Sequence, residues 1–332
     1  MKDILIERVL KTIRSYEMVK PGDAVLVAVS GGPDSIFLLD ALNGLKRKLG
    51  IKKLVVCNLD HGLRGKESAE DSLFVKAVAE KLGLEFFHEK INLADKKNKK
   101  ISTEELAREE RYKFFKEAAS KCKATVLATG HTLDDQAETI IMRFIKGSSL
   151  KGMAGVAPVR KEGNLKIIRP LLELEKTQIT RYLDEKRISY RIDSSNLETK
   201  YFRNVARKEI VPFLERYNPR LKRALFNLAE HLREDLEFIS EEKHRAQKSV
   251  LCGQGHAARI NLKDIVVQPK ALQKEILRDL LEKAGGEIKK LSFRHWKEMD
   301  SLIRQKRKGN SLDLPGGIRI TRTREALEFS RI

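Results

Sequence analysis

The sequence predicts an alternating α/β protein: a parallel-sheet domain, then a helical connector, then a small α+β module. Three observations carry this reading. Short unbroken apolar runs, typical of strands buried on both faces, recur through the first half of the chain. Segments of helical period separate them, as in βαβ units with right-handed crossovers. Beyond Asn218-Pro219 the pattern becomes one long helix followed by short mixed elements. A chain of 332 residues has room for two or three domains at roughly 100–200 residues each. The expected division is a sheet domain over 1–216, a connector over 217–249 and a basic α+β module over 250–332.

The elements follow in order. An amphipathic helix spans 3–18, with Ile4, Ile6, Val9, Leu10 and Ile13 at helical spacing. Residues 24–30 form a first strand, and a Gly-Gly-Pro turn opens a helix that ends at Gly50. Residues 53–60 are a second strand, 68–82 a helix, 84–91 a third strand. A helix over 103–121 has Ser102 or Thr103 as its cap. Residues 124–130 give a fourth strand and 134–145 its helix. The small residues of 147–159 read as a loop over the sheet, ahead of a helix at 175–185. The connector helix runs over 220–249. The last module holds a strand near 256–262, helices near 270–284 and 292–307, and short strands around Pro315-Gly316-Gly317.

Composition removes several classes. There are 67 Lys and Arg against 47 acidic residues, a net charge of +20. Such a field suits a polyanionic partner, with nucleic acid ahead of a membrane surface, since no apolar stripe lies opposite a basic helical face. Cys57, Cys122 and Cys252 form no Cys-x-x-Cys pair, which argues against a disulfide framework and against a Cys-bound zinc or iron–sulfur centre. Cys57 and Cys122 read as small buried hydrophobes. Few cysteines suit a reducing, cytoplasmic setting. The N-terminus is too charged for a secretory signal, and no run of about 18 apolar residues exists to span a membrane.

The chemistry-bearing motifs sit where strands end. Ser30-Gly31-Gly32-Pro33-Asp34-Ser35 joins the first strand to a helix. A helix N-terminus binds phosphate through free N–H groups, and glycines let the backbone come close to the anion. The Ser30 and Ser35 hydroxyls add donors. The alternative is an ordinary strand–helix turn. Asp60-His61-Gly62-Leu63-Arg64 ends the second strand and suits nucleotide binding, or forms a plain polar loop. Gly130-His131-Thr132-Leu133-Asp134-Asp135-Gln136-Ala137-Glu138 follows the fourth strand. Its acids suit a metal or an amine, while a cap with acids in the first turn explains one Asp. Arg108 and Arg111 lie three apart on one helix face, placed for phosphate or for ion pairs with Glu104 and Glu105. Asp193-Ser194-Ser195-Asn196, followed by Arg203, Asn204 and Arg207, reads as a polar loop feeding arginines toward RNA.

SGGxDS after a first strand resembles the PP-loop of the N-type ATP pyrophosphatases. That resemblance implies a Rossmann-like domain of the adenine nucleotide α-hydrolase type, which splits ATP into AMP and pyrophosphate. The loop would hold the leaving pyrophosphate, and Asp34 a Mg²⁺ ion. The full series, SGGPDS, LDHGLRG, ARxxRY, GHTLDDQAET, the RPLL segment at 169–172 and DSSN with RN, resembles the tRNA(Ile)-lysidine synthetases over roughly 20–215. The 250–332 module is similar to that family's first C-terminal domain; longer members carry a further one, which makes this sequence look like a short form.

The resemblance implies a reaction. ATP adenylates the C2 oxygen of the wobble cytidine in the CAU anticodon of isoleucine tRNA. Free L-lysine then attacks C2 and AMP leaves, switching decoding from AUG to AUA. It implies Asp34, Arg111, Asp135 and Arg203 as catalytic, with Asp34 on the metal. ATP would lie against Ser30, Gly31, Gly32, Pro33, Asp34, Ser35, Asp60, His61, Arg64, Gly130 and His131. Lysine would meet Asp135, Gln136 and Glu138, with Asp135 holding the amine or taking its proton. Arg108, Arg203 and Arg207 would face tRNA. A homodimer is left open. Three competing readings remain: a tRNA thiolase, which needs cysteines; an amidotransferase-type synthetase, which needs an ammonia source; and a tRNA-binding protein without catalysis.

Overall fold

Helix α1 (Ile4–Ser15) buries Val9, Leu10 and Ile13, the stripe its spacing calls for. There follow β1 (Ala24–Ala28), α2 (Pro33–Leu45), β2 (Lys53–Asp60), α3 (Lys66–Lys81), β3 (Glu85–Lys90), α4 (Thr103–Cys122), β4 (Val126–Ala128) and α5 (Leu133–Ile145). This computed structural model describes residues 4–60, 66–93, 103–192, 202–251, 259–304 and 309–332. The expected cap at Ser102 or Thr103, the residues His61 and Arg64, the Asp193–Asn196 loop and Cys252 lie outside the described backbone and side chains.

The chain then forms α6 (Leu150–Met153), β5 (Val159–Glu162), β6 (Leu165–Ile168), α7 (Lys176–Glu185), α8 (Phe202–Val205), a π-helical turn (Ala206–Ile210) and α9 (Val211–Glu215). The first sheet has the order β3-β2-β1-β4-β6-β5. β1 pairs parallel with β2 and with β4, β3 lies parallel outside β2, and β6 parallel outside β4. β5 closes the edge antiparallel to β6. The loop expected over 147–159 therefore contains one helical turn and ends in an edge hairpin.

Strand alternation sorts the core into two layers. Val25 and Val27 of β1 join Phe37, Leu38 and Leu42 of α2 on one face. Leu26 joins Val55, Cys57, Leu127 and Ile167 against Phe114 and Phe115 of α4 on the other. A side chain so buried contributes about 1.5–3 kcal/mol. Because β2 and β4 flank β1, the loops leaving β1 and β4 part in opposite directions. The carboxyl ends of β1 and β4 thus frame the crevice where open α/β sheets bind ligands.

The chain forms two compact units, Met1–Glu230 and His231–Ile332. Helix α10 (Leu221–Val250) starts in the first, where Phe226 packs with Leu133 and Leu172, and continues into the second. The second unit adds β7 (Arg259–Asn261), α11 (Leu262–Val266), α12 (Lys270–Lys283), a 3₁₀ turn (Ile288–Lys290), α13 (Phe293–Arg304), β8 (Ser311–Leu314), β9 (Ile318–Arg322) and β10 (Ala326–Arg331). Its sheet runs β7-β10-β9-β8, all antiparallel, over a core including Ile276, Leu280, Met299, Ile320 and Phe329. At the β8–β9 turn Gly316 has φ +92, and a Cβ there would stand 2.6 Å from Glu287 N, so only glycine fits. Among the described residues no helix is long and apolar enough to cross a membrane.

Candidate active site

The phosphate-type loop is held by its own hydrogen bonds. Gly31 takes φ +91, open to glycine at no cost, and Pro33 occupies the first turn of α2, where a missing N–H is harmless. The Ser35 hydroxyl accepts from Ser30 N at 3.1 Å and donates to Gly32 O at 2.9 Å, closing the loop on itself. The Ser30 hydroxyl lies 3.3 Å from it. Two residues that no sequence motif marks support this loop. Asn58 donates to Val29 O at 2.8 Å, and Arg191 N donates to Gly31 O at 2.9 Å. Asp60 is buried at the end of β2.

The loop after β4 meets this one directly. A Cβ at Gly130 would lie 3.2 Å from both the carbonyl carbon and oxygen of Asp34, so glycine permits the approach. His131 Nδ1 sits 3.0 Å from Thr129 Oγ1. Burial, helped by Arg169, Arg203 and Arg108, pushes the imidazole down to about 3, so it is neutral. Thr132 is the N-cap of α5 in a capping box with Asp135. Asp135 Oδ2 accepts from Thr132 N and Thr132 Oγ1, each at 2.9 Å.

Asp135 Oδ1 faces a run of alternating charges. It lies 3.0 Å from Lys176 Nζ and 3.0 Å from Arg203 Nη2, with Arg207 Nη2 at 3.6 Å. Burial opposes its ionisation, but Lys176 and Arg203 overcome this and hold the carboxyl well below the usual range. Glu138, almost wholly buried, accepts from Arg203 Nε at 2.8 Å and Arg207 Nε at 2.6 Å. Arg203 and Arg207 are four apart across α8 and the π-helical turn, which brings both onto this acid. Lys176 also reaches Asp34 Oδ2 at 3.7 Å, which joins the first loop to the acids of α5. Asp134 anchors α7 instead, accepting from Lys176 N at 2.8 Å and pairing with Lys222 at 2.9 Å.

Asp34 differs from its neighbours. Its Oδ1 is buried without a hydrogen-bond partner among the described residues, and burial first of all raises its carboxyl to about 6, with Lys176 opposing. A carboxylate oxygen short of positive charge fits a hard cation. No group of three metal-binding side chains occurs among the described residues, so phosphates and water would complete the shell, as Mg²⁺ prefers.

Other expected residues are placed less simply. Gln136 is fully buried; its Oε1 accepts from Val156 N at 2.6 Å, and Gly155 packs on its amide. Its Oε1 thus braces the 147–156 segment, while its Nε2 is buried without a hydrogen-bond partner among the described residues. On α4, Arg108 lies over the Tyr112 ring at 5.0 Å, and Arg160 lies 5.0 Å from the same ring. Desolvation, with Arg108 and Arg203 adding repulsion, lowers Arg111 below its ordinary value. Arg169, buried beside Tyr112, adds another cation, its Nε without a partner among the described residues. Cys57 and Cys122 are buried and free, and burial pushes the Cys57 thiol well up. Neither is placed for catalysis.

The second unit offers a different surface. A cleft between α12 and α13 is floored by Leu277, Trp296 and Ile303 and rimmed by Lys270, Lys274 and Lys297. Phe293 is exposed at its edge, with Lys297 over its ring at 5.1 Å.

A phosphate-binding helix start, an acid-rich crevice at the strand switch point and a parallel sheet define a PP-loop ATP-using enzyme, and residues 2–214 match the PP-loop domain family. Residues 260–327 match the TilS substrate binding domain. The chain belongs to the tRNA(Ile)-lysidine synthase family. It is 32% identical over 327 residues to the tRNA(Ile)-lysidine synthase of Clostridioides difficile (strain 630), covering 98% of this chain and 70% of that one. It is 35% identical to those of Geobacter sulfurreducens and Persephonella marina, with the same coverages. Among solved structures it is similar to the U34-tRNA thiolase NcsA from Methanococcus maripaludis with its 4Fe–4S cluster. There the TM-score is 0.59 at 20% identity, covering 70% of this chain and 80% of that one, a likeness of fold.

Proposed function

We propose that this chain ligates free L-lysine to C2 of the wobble cytidine in the CAU anticodon of isoleucine tRNA, at the expense of ATP. The observation that carries it is the continuous line Asp34–Lys176–Asp135–Arg203–Glu138, which sets a phosphate loop beside buried carboxylates paired with cations. The cytidine C2 oxygen attacks the α-phosphorus and pyrophosphate leaves. The lysine ε-ammonium gives a proton to solvent, the free amine adds to C2, a second proton passes to solvent, and AMP departs with the former C2 oxygen. Adenylation turns a poor leaving group into a good one.

The residues divide this work. The loop Ser30–Ser35, with Gly130 and His131 beside it and Asp60, His61 and Arg64 from the β2 end, receives the nucleotide. Asp34 would hold Mg²⁺, which neutralises phosphate charge. Arg111 and Arg203 offset charge on the adenylate. Asp135 and Glu138 attract the lysine ammonium. Asp135 orients that amine and does not take its proton, because a carboxylate held so far below neutrality is a weak base. Arg203 and Arg207 engage these acids, which leaves Arg108 and the basic second unit to face RNA. A buried Cys57 and Cys122 give no support to sulfur transfer.

The test is incorporation of labelled lysine into an unmodified isoleucine tRNA(CAU) transcript with ATP and Mg²⁺. Lysine on the RNA with one AMP and one pyrophosphate per event is expected. ATP cleavage without lysine on the RNA would send the search to another nucleophile.

A further inference from the structure

Lys176 belongs to none of the recognisable motifs, yet it touches both acids that matter most. Its backbone N–H is fixed on Asp134 Oδ2 at 2.8 Å, while its ammonium lies 3.0 Å from Asp135 Oδ1 and 3.7 Å from Asp34 Oδ2. A carboxylate has about four acceptor positions. Those of Asp135 are filled by Thr132 N, Thr132 Oγ1, Lys176 and Arg203. A substrate ammonium can therefore reach Asp135 only by replacing one of these donors.

The four differ in how easily they leave. The two from Thr132 form the cap of α5. Arg203 is held a second time by Glu138 at 2.8 Å. Among the described residues the Lys176 ammonium has only the longer contact to Asp34 besides Asp135, and its four-carbon stem pivots from a fixed backbone. Asp34 sits in the phosphate loop itself, so an incoming triphosphate would present new negative charge within reach of the same ammonium.

We propose that Lys176 occupies the substrate-ammonium position in the free enzyme and that nucleotide binding draws it away. The polyphosphate takes the Lys176 ammonium toward Ser30–Ser35, and Asp135 is released to hold the lysine ammonium in its place. Lys176 is thus a positioning residue that makes lysine binding conditional on ATP. This rests on free lysine being the nucleophile. It prevents a bound amine from waiting in a site that holds no activated base.

Linkage makes the idea measurable, because ATP must tighten lysine by the same factor as lysine tightens ATP. The experiment is equilibrium dialysis of labelled lysine against the full chain, with and without α,β-methylene-ATP and Mg²⁺. The wild type should bind lysine at least about tenfold more tightly with nucleotide, within the usual range of such couplings. Lys176→Gln should bind lysine without nucleotide nearly as well as with it, so its coupling falls toward one. Lys176→Arg, which keeps a cation there, should stay coupled. Thermal melting checks that each variant folds, and the wild-type coupling needs no variant at all.

Equal coupling in wild type and Lys176→Gln would overturn the proposal, as would wild-type lysine binding indifferent to nucleotide. If lysine enters the tRNA normally in either of those cases, only the role of Lys176 falls. If no protein binds lysine and none is incorporated, the lysine reading falls with it.

Discussion

The two oxygens of Asp135 have different duties. Oδ2 closes the first turn of α5 through Thr132, and Oδ1 meets Lys176 and Arg203. Asp135→Asn keeps an acceptor for the cap and removes the charge. A hydrogen bond to a charged group is worth about 1.5–3 kcal/mol, so losing the one to the substrate ammonium should lower lysine transfer about tenfold to a hundredfold. The tRNA-dependent release of pyrophosphate should survive, since the loop at Ser30–Ser35 is untouched. The ratio of lysine incorporated to pyrophosphate released reads this directly, and an unchanged ratio would remove Asp135 from the amine site. Asp34, Asp135 and Arg203 were legible as candidates because each stands in a compact string beside other polar groups. Lys176 was not. It is 41 residues from Asp135 and in sequence is simply the first residue of an amphipathic helix. Asn58 and Arg191 escaped likewise, since a strand residue and a loop arginine carry no periodic signal. The bond from Val156 N to Gln136 Oε1 was not legible either, because on a helix neighbours point about 100° apart and adjacency to Asp135 says nothing about direction.

At the level of elements, the strands with continuous apolar runs were readable, and the edge hairpin was not. Val159–Glu162 and Leu165–Ile168 mix charged and apolar residues in four-residue pieces, too short for a period-two signal. What matters to the site is how the loop after β4 meets the loop after β1. Gly130→Ala would push a methyl group to 3.2 Å from the backbone of Asp34, which cannot step aside as a side chain could. The backbone of Asp34 would have to give by a few tenths of an ångström, so turnover should fall, by less than the roughly hundredfold of a 1 Å misplacement, with only a small change in melting temperature. A drop in Tm in proportion to activity would mean the contact is merely structural. Gly155→Ala tests the neighbouring support. Its φ is +68 and a Cβ would lie 2.6 Å from the Gln136 amide. Denaturant unfolding should show a loss of about 1–3 kcal/mol from strain of this kind. Little change would show that the 147–156 segment yields without Gln136.

Across the whole chain, the net charge of +20 indicated a polyanion from composition alone, but not where that charge would gather. In the second unit Lys270, Lys274 and Lys297 line one cleft together with Asp300, half-buried Trp296 and exposed Phe293. Arg278 lies 5.3 Å from the Trp296 ring and Lys297 5.1 Å from the Phe293 ring, so cations and aromatics stand side by side here, a pairing that suits RNA. Composition could not reveal this, because the lysines come from two helices and converge only when α12 and α13 pack around Leu277 and Ile303. The Lys270→Glu, Lys274→Glu, Lys297→Glu triple variant should bind tRNA more weakly. Its plot of log affinity against log salt should be shallower by about 0.7–0.9 for each phosphate that is no longer neutralised. Nucleotide binding should be unchanged, because none of the three residues belongs to the unit that holds the phosphate loop. Weaker tRNA binding with an unaltered salt slope would point to impaired stacking on Trp296 and Phe293 rather than to fewer neutralised phosphates. Unchanged affinity would move the RNA surface to Arg108 of α4 and Arg160 of β5, which flank Tyr112.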